Sequence, residues 1–257
     1  MKTLLEEPAL HGVDIGSTEW FALQRSLIEK RPLVKRAYDL WYSTMLADVA
    51  TVPGGTGGIV ELGSGSNYVK SLDPSVITSD VVSGGADMVI DARSLPFKAE
   101  SLRGVLLTHV FHHIPDVTQF LSEAIRTLVP GGVISLIDVT HSPLARLLFG
   151  RFHPEAYRSD REGWLLDTSG TYGGADQALS WVVFHRDRER FERQFPGLRV
   201  EVIESLPWLG YLLSGGLTRK NIIPRALVPL ISTADQATTA LNGLCALHWH
   251  IRIRKVC

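Results

Sequence analysis

The sequence predicts an α/β fold built on a doubly wound, mostly parallel sheet, and three observations lead there. Between residues 58 and 140, short apolar runs alternate with turns and helical stretches. Those runs are apolar on consecutive positions, as expected of strands covered on both faces. The first of them ends in a glycine turn, IVELGSGSN over Ile59–Asn67, at the strand tip where such sheets hold ligands.

The expected strands are Gly58–Leu62, Val76–Val81, Met88–Ile90, Val105–Val110 and Val133–Val139. One intervening helix is well marked. Asp116 and Gln119 form an N-cap and N3 pair, and Val117, Phe120, Leu121, Ala124, Ile125 and Leu128 make a single apolar stripe. Pro130-Gly131-Gly132 is expected to end that helix. Upstream, residues 1–52 read as helical, with Leu33, Ala37, Leu40 and Trp41 recurring at three- and four-residue steps, until PGGTGG at Pro53–Gly58 breaks the pattern.

After Val139 the pattern loosens. Residues 141–182 are rich in aromatics, glycines and charges, and Asp187–Phe195 reads as an amphipathic helix. Leu198–Ile203 and Leu247–Ile253 both alternate with period two and read as strands that would be neighbours if they pair antiparallel. In the second of these, Leu247, Trp249, Ile251 and Ile253 share one face. His248, His250, Arg252 and Arg254 share the other, expected to be solvated, with Arg199 and Glu201 close to its arginines. Residues 207–244 form an apolar helical insertion punctuated by proline and glycine. One domain over 1–257 is expected: N-terminal helices (1–52), a ligand-binding core (58–140) and two cap insertions (141–182 and 207–244).

Composition narrows the partners. The 257 residues carry 26 Lys and Arg against 27 Asp and Glu, a net charge of −1, so no overall field points to nucleic acid or anionic lipid. The two cysteines, Cys245 and Cys257, cannot staple a chain of this size, which fits a reducing compartment. The N-terminus has acidic residues and Pro8 where a signal peptide needs an apolar run, and no stretch reaches the ~18 apolar residues of a membrane span. A cytoplasmic protein without a transmembrane segment is expected. The histidines show no metal-ligand spacing, so no metal is expected.

The glycine turn is weak as a signal by itself. Its neighbours strengthen it. Asp80 ends the second expected strand 17 positions beyond Gly63, near the spacing at which a carboxylate reaches ribose hydroxyls. Asp91 and Ala92 follow the third strand, where a carboxylate and an N–H suit an adenine edge. The competing reading of both carboxylates is turn or helix capping.

ELGSGSN, the carboxylate at Asp80, DARSLPF, LLTHVFHHI and LVPGGVISLID resemble, in order, the motifs of class I S-adenosylmethionine-dependent methyltransferases, most closely the small-molecule group called type 11. About a third of the chain carries the match. The resemblance implies a Rossmann-like seven-stranded sheet with an antiparallel last strand and S-adenosyl-L-methionine as cofactor. It also implies roles. Glu61, Gly63, Ser64, Gly65 and Asn67 would shape the turn beside the methionine moiety, Asp80 with Val81 would hold the ribose, Asp91 and Ala92 the adenine, and Thr108 and His109 the floor beneath the sulfonium. The sequence departs from the pattern at Asn67, where the family has a third glycine, at Pro74, which shortens the next helix, and at Arg103-Gly104, where an acidic residue is usual.

Methyl transfer needs alignment and desolvation, with a base for some acceptors. His113 is the first candidate base, followed by His112; Asp138 and His141 are weaker candidates. Trp164, Tyr172, Gly173-Gly174, Asp176 and Trp181, with Trp208, Tyr211 and Leu212-Leu213, are candidate walls for a small organic acceptor methylated on oxygen. Three alternatives stay open. One is an adenosyl-cofactor-binding subunit without catalysis. Another is an NAD-dependent oxidoreductase, disfavoured by the incomplete G-x-G-x-x-G. The last is a nucleic-acid methyltransferase, disfavoured because no Asn/Asp-Pro-Pro-aromatic motif follows the fourth strand.

Overall fold

A computed structural model describes residues 7–168 and 174–256. Tyr172, Gly173 and Cys257, singled out above, lie outside the described residues. The strands are β1 (Gly58–Leu62), β2 (Ile77–Asp80), β3 (Met88–Val89), β4 (Leu102–Thr108), β5 (Leu128–Val139), β6 (Leu198–Ser205) and β7 (His248–Lys255). They form one sheet in the order β3-β2-β1-β4-β5-β7-β6. β1 to β5 run parallel, and β7 runs antiparallel to both β5 and β6. The chain fills the sheet outward from β1 in one direction and then from β4 in the other. The reversal falls between β1 and β4, and the tips of those two strands are where sheets of this kind place their ligand crevice.

β1 has the expected bounds. β4 starts three residues before the predicted Val105, because Leu102 pairs across to both Gly58 and Leu128. The helix α3 (Val117–Thr127) is capped as predicted by Asp116, which accepts from Gln119 N at 3.0 Å. It ends earlier than expected, however, and Val129-Pro130-Gly131-Gly132 lies inside β5 rather than acting as a stop. That extension lets Leu128 join the ladder beside Leu102.

Alternation along the inner strands divides the core. Val105, Leu107, Ile134 and Leu136 pack on one face with Phe120 and Leu121 of α3. They also meet Phe191 of α6 (Arg188–Gln194), which follows the short α5 (Leu179–Trp181) and a π-turn at Val182–Arg186. Leu106, Val133 and Ile137 face the other way, onto the N-terminal helices α1 (Thr18–Lys30) and α2 (Pro32–Ala50). α2 buries Val34, Tyr38, Trp41, Tyr42, Met45 and Val49 against this face. Leu40, placed by the sequence on the apolar stripe, is 40% exposed. The stripe is rotated by one position because Tyr38 and Tyr42 take the sheet side. Gly104 has a clear role here: a Cβ there would come within 2.6 Å of Val49 Cγ2, so α2 lies too close to β4 for any larger residue.

The same helix overturns the expected solvated face of β7. His248 and His250 are 3% and 2% exposed. β7 is interior to the sheet, and α2 covers it. Asp48 accepts from His250 Nε2 at 2.7 Å, from Ser135 Oγ at 2.6 Å and from Arg252 Nη1 at 2.9 Å. The polar alternation therefore faces a buried carboxylate. Glu201 on β6 pairs with Arg252 and Arg254, as the antiparallel register implied.

The remaining helices build the cap: α4 (Pro143–Phe152), α7 (Leu209–Ser214), α8 (Val228–Ala237) and α9 (Asn242–Cys245). Val139, Ala145 and Leu247 form a separate small core with Leu148, Trp208 and Tyr211 around it. Arg31, buried between α1 and α2, ties the cap to the N-terminus by donating to Gly216 O and Arg219 O at 2.7 Å and pairing with Glu7.

Candidate active site at the strand tips

The turn after β1 is fixed from below. Gly63 has φ +64°, and a Cβ there would drive into the Val110 side chain. Ser64 N donates to Ser79 O at 2.7 Å, and Ser64 Oγ accepts from Ser79 N at 3.0 Å. Gly65, at φ +50°, aims its N–H at Asp80 Oδ2, 3.1 Å away. Asn67 adopts φ +54°, a left-handed conformation that asparagine tolerates and that a glycine would take freely. The next element is only a 3₁₀ turn, Tyr68–Ser71, in keeping with the early Pro74.

Asp80 closes β2 with both oxygens engaged by backbone, Gly65 N on one and Val81 N on the other at 2.8 Å. Val81 itself is 68% exposed. Asp91 stands on the loop beyond β3, held by Arg93 through Nη2 at 2.6 Å and through the Arg93 backbone N–H at 2.9 Å. The Arg93 side chain keeps its carboxyl below the usual range. Ala92 beside it is nearly buried. α1 lies over this edge: Phe21 and Gln24 would touch a Cβ on Gly65, and the Phe21 ring leaves no room for one on Gly84.

Glu61 is buried, and Tyr42 donates to its Oε1 at 2.6 Å. Burial raises its pKa to about 7, against the opposing hydrogen bonds of Tyr42 and Ser64. Thr108 ends β4 next to this carboxyl. His109, at φ +58°, follows, and burial lowers its pKa to about 4, leaving a neutral ring. Among the described residues, Asn67, Glu100 and His109 are the non-glycine positions with positive φ, and two of the three flank the crevice. Glu61 Oε2, Asn67 Oδ1 and His109 Nε2 are buried there without a hydrogen-bond partner. Polar atoms left in this state are costly unless a ligand satisfies them.

Beyond His109 the wall becomes aromatic. His109 and His248 meet edge to face with ring centroids 4.6 Å apart, and Trp41 lies 5.1 Å from each. Tyr211 and Phe149 complete the contact around His248. Of the proposed acceptor walls, Tyr211 therefore reaches the strand tips. Trp164 is instead core packing that donates to Asp187, Trp181 stacks on His141 at 3.8 Å, and Asp176 is buried as a backbone acceptor for Arg158 and Ala178.

The two histidines after β4 separate in role. His112 is buried, with Nδ1 2.6 Å from Asp138 Oδ1 and Nε2 facing Glu155 and Gln177. Burial pulls its pKa down, but Asp138 and Glu155 more than reverse this and raise it to about 10. His113 is 41% exposed, with Nε2 3.6 Å from Glu155 Oε1. Burial, reinforced by the charge on His112, lowers its pKa to about 4. Glu155 is itself held at about 2: burial pushes it up, and His112 with the neighbouring imidazoles outweighs that. Sequence reasoning missed Glu155 and His153, which sit in an irregular loop; the signal available was the HPE tripeptide at His153–Glu155 set against the HH pair. Ligand atoms of His112, His113 and Glu155 lie within 4.8 Å of one another, a grouping that the spacing of the histidines in sequence did not announce. Asp138 also accepts from Val139 N, so it both holds backbone and orients His112.

Residues 55–136 match the family model described as a methyltransferase domain, Methyltransf_11. A 2-phytyl-1,4-naphtoquinone methyltransferase of Thermosynechococcus vestitus is 27% identical over 84 residues. That alignment covers 32% of this chain and 34% of the relative, so the chain matches about a third of that protein's length. Among solved structures, a chain of the complex between the Haloferax volcanii Trm112 methyltransferase activator and a methyltransferase superposes with TM-score 0.52 at 16% identity, over 93% of this chain and 95% of that one. A SAM-dependent methyltransferase from Archaeoglobus fulgidus superposes with TM-score 0.51 at 14% identity, covering 84% and 94% of the two chains. These likenesses establish the fold.

Proposed function

We propose, on the premise that residues 55–136 form a class I S-adenosylmethionine-dependent methyltransferase domain, that the protein methylates an oxygen atom of a small organic acceptor such as a sugar, lipid or secondary metabolite. The observation that carries this reading is the crevice between β1 and β4. There a carboxylate gripped by Gly65 N–H is accompanied by buried polar atoms without partners on Glu61, Asn67, Thr108 and His109. When bound, the cofactor supplies an activated methyl group on a sulfonium. Asp80 would bind the ribose diol, Asp91 and Ala92 the adenine, and the turn from Glu61 to Asn67 the methionine moiety. Thr108 and His109 would lie beneath the sulfonium. Asp91 exchanges its Arg93 contact for the adenine at small cost, since that pair is exposed.

The packed rings of Trp41, Tyr211 and His248 back His109 and keep water from that side of the strand tips. The name of the Thermosynechococcus vestitus relative points to a naphthoquinone, an acceptor of the small-molecule class proposed. Of the two histidines, His113 is the one that takes the acceptor proton: it is half exposed, and its Nε2 lies beside Glu155. His112 is a positioning residue, pinned on both sides.

The test is a methyl-transfer screen with labelled cofactor against sugars, lipids and naphthoquinols. Label should enter an oxygen of at least one class, and His113→Gln should lower kcat by about 10²–10⁴ with KM for the cofactor unchanged. Transfer to none of them, by protein that binds the cofactor, would favour a subunit that binds without catalysing.

A further inference from the structure

We propose that His112, His113 and Glu155, with His153 beside them, form a binding site for a first-row transition-metal dication next to the acceptor face of the crevice. The geometry points to this. Glu155 Oε2 lies 3.5 Å from His112 Nε2 and 3.7 Å from His153 Nδ1, and Glu155 Oε1 lies 3.6 Å from His113 Nε2. These separations exceed the roughly 2.7–3.2 Å of a direct hydrogen bond. They suit edges of a coordination polyhedron, because ligands ~2.0–2.1 Å from one tetrahedral ion stand about 3.3 Å apart.

Two further features are what such a site needs around it. Asp138, fully buried on β5, holds His112 Nδ1 at 2.6 Å and so turns Nε2 toward the cluster. That carboxylate–histidine pairing fixes the tautomer and raises the basicity of metal-binding imidazoles. Gln177 is 3% exposed and points its amide at His112 Nε2 and Glu155, while its Oε1 has no partner. Rotating the amide by half a turn presents that oxygen to the same centre. Imidazoles with a single carboxylate select zinc-like ions over magnesium or calcium, which favour all-oxygen shells.

His113 is half exposed, so the site is open to solvent at that ligand and keeps a position for an exogenous oxygen. Resting on the methyl-transfer reading, an acceptor hydroxyl in that position would shed its proton to water more readily. The ion would then do for the acceptor what the His113 nitrogen does in its absence. Binding of the ion itself does not depend on that reading.

The experiment is calorimetric titration of chelator-stripped full-length protein with ZnCl2, and separately with MnCl2 and MgCl2. S-adenosylhomocysteine binding of each variant is measured in parallel as a check on folding. One equivalent of Zn2+ should bind the wild type, with no binding of Mg2+. Glu155→Gln and His113→Ala should each weaken Zn2+ by more than tenfold, and Asp138→Asn by about 10–100-fold. His113→Ala changes a half-exposed side chain and keeps the test valid if Glu155→Gln fails to fold. Absence of saturable Zn2+ binding to the wild type, or affinity unchanged in His113→Ala, overturns the proposal. Loss of S-adenosylhomocysteine binding in the wild type would overturn the methyltransferase reading instead.

Discussion

The two sides of the crevice are built on opposite principles. On the β1–β2 side, backbone does the holding: Gly65, in a left-handed conformation, and Val81 point their N–H groups at the Asp80 carboxylate. On the β4–β5 side, side chains do it, and they are buried, charged and drawn from segments far apart in sequence. The first construction suits a ligand with many polar atoms and one fixed shape. The second suits chemistry, because protonation states are set by burial and neighbours rather than by solvent. Substitutions should therefore divide by kind: beyond β4 and β5 the stability cost follows the loss of a buried charged partner, and in the turn after β1 it follows what an added Cβ meets.

The largest effect is expected at His112. Removing its ring leaves Asp138 and Glu155 as buried carboxylates without their shared partner, so His112→Ala should cost about 3–5 kcal/mol in urea unfolding. His113→Ala should cost under about 1 kcal/mol. Similar losses for the two neighbours would erase the distinction between a pinned histidine and an open one.

The glycine turn offers an internal contrast of the next size. Gly63→Ala combines a positive φ with a clash against Val110, and about 2–4 kcal/mol of destabilisation is expected. Gly65→Ala meets only ordinary contacts at 3.6 Å, so it should lose about 1 kcal/mol while still impairing cofactor binding. Equal destabilisation in unfolding curves would show that the turn is not buttressed by the Val110 side chain beyond β4.

The smallest effect concerns pH, at the pair covered by α2. Burial lowers the pKa of His250, but Asp48 and Glu204 reverse this and raise it. Burial likewise raises Asp48, and His250 with Ser135 overcomes it to lower the carboxyl. A raised imidazole stabilises the fold below its unfolded pKa and loses that contribution as pH rises through the folded value. A lowered carboxyl stabilises above its unfolded pKa and loses that as pH falls. The pair should therefore matter most between about pH 4.5 and 6.5. His250→Gln should cost more stability at pH 6 than at pH 9. A pH-independent difference would mean that the pair is not ionic.

Legibility followed the same division. β1, the Asp116 cap and Asp80 at the end of β2 were readable because each depends on neighbours within a few residues. The strand character of β6 and β7 was readable from period, and their antiparallel direction came only from the family resemblance. The burial of His248 and His250 was not, because alternation reports two faces without saying what covers them. Here α2, from the other end of the chain, brings Asp48 to a surface that reads as solvated. The start of β4 and the strand character of Pro130–Gly132 were hidden for a similar reason, since Leu102 and Leu128 are defined by each other across the sheet. Glu155 was illegible because nothing in its own segment has a period, and its meaning comes only from the histidines 42 and 43 positions earlier.

The measurement that bears most directly on the central claim is a calorimetric titration of the full-length protein with S-adenosylhomocysteine and, separately, NAD. Saturable binding of the first and none of the second is predicted, with Asp80→Ala and Asp91→Ala each weakening it by about 1–3 kcal/mol. Binding of NAD alone, or wild-type affinity in both variants, would contradict the assignment of the crevice to an adenosyl cofactor.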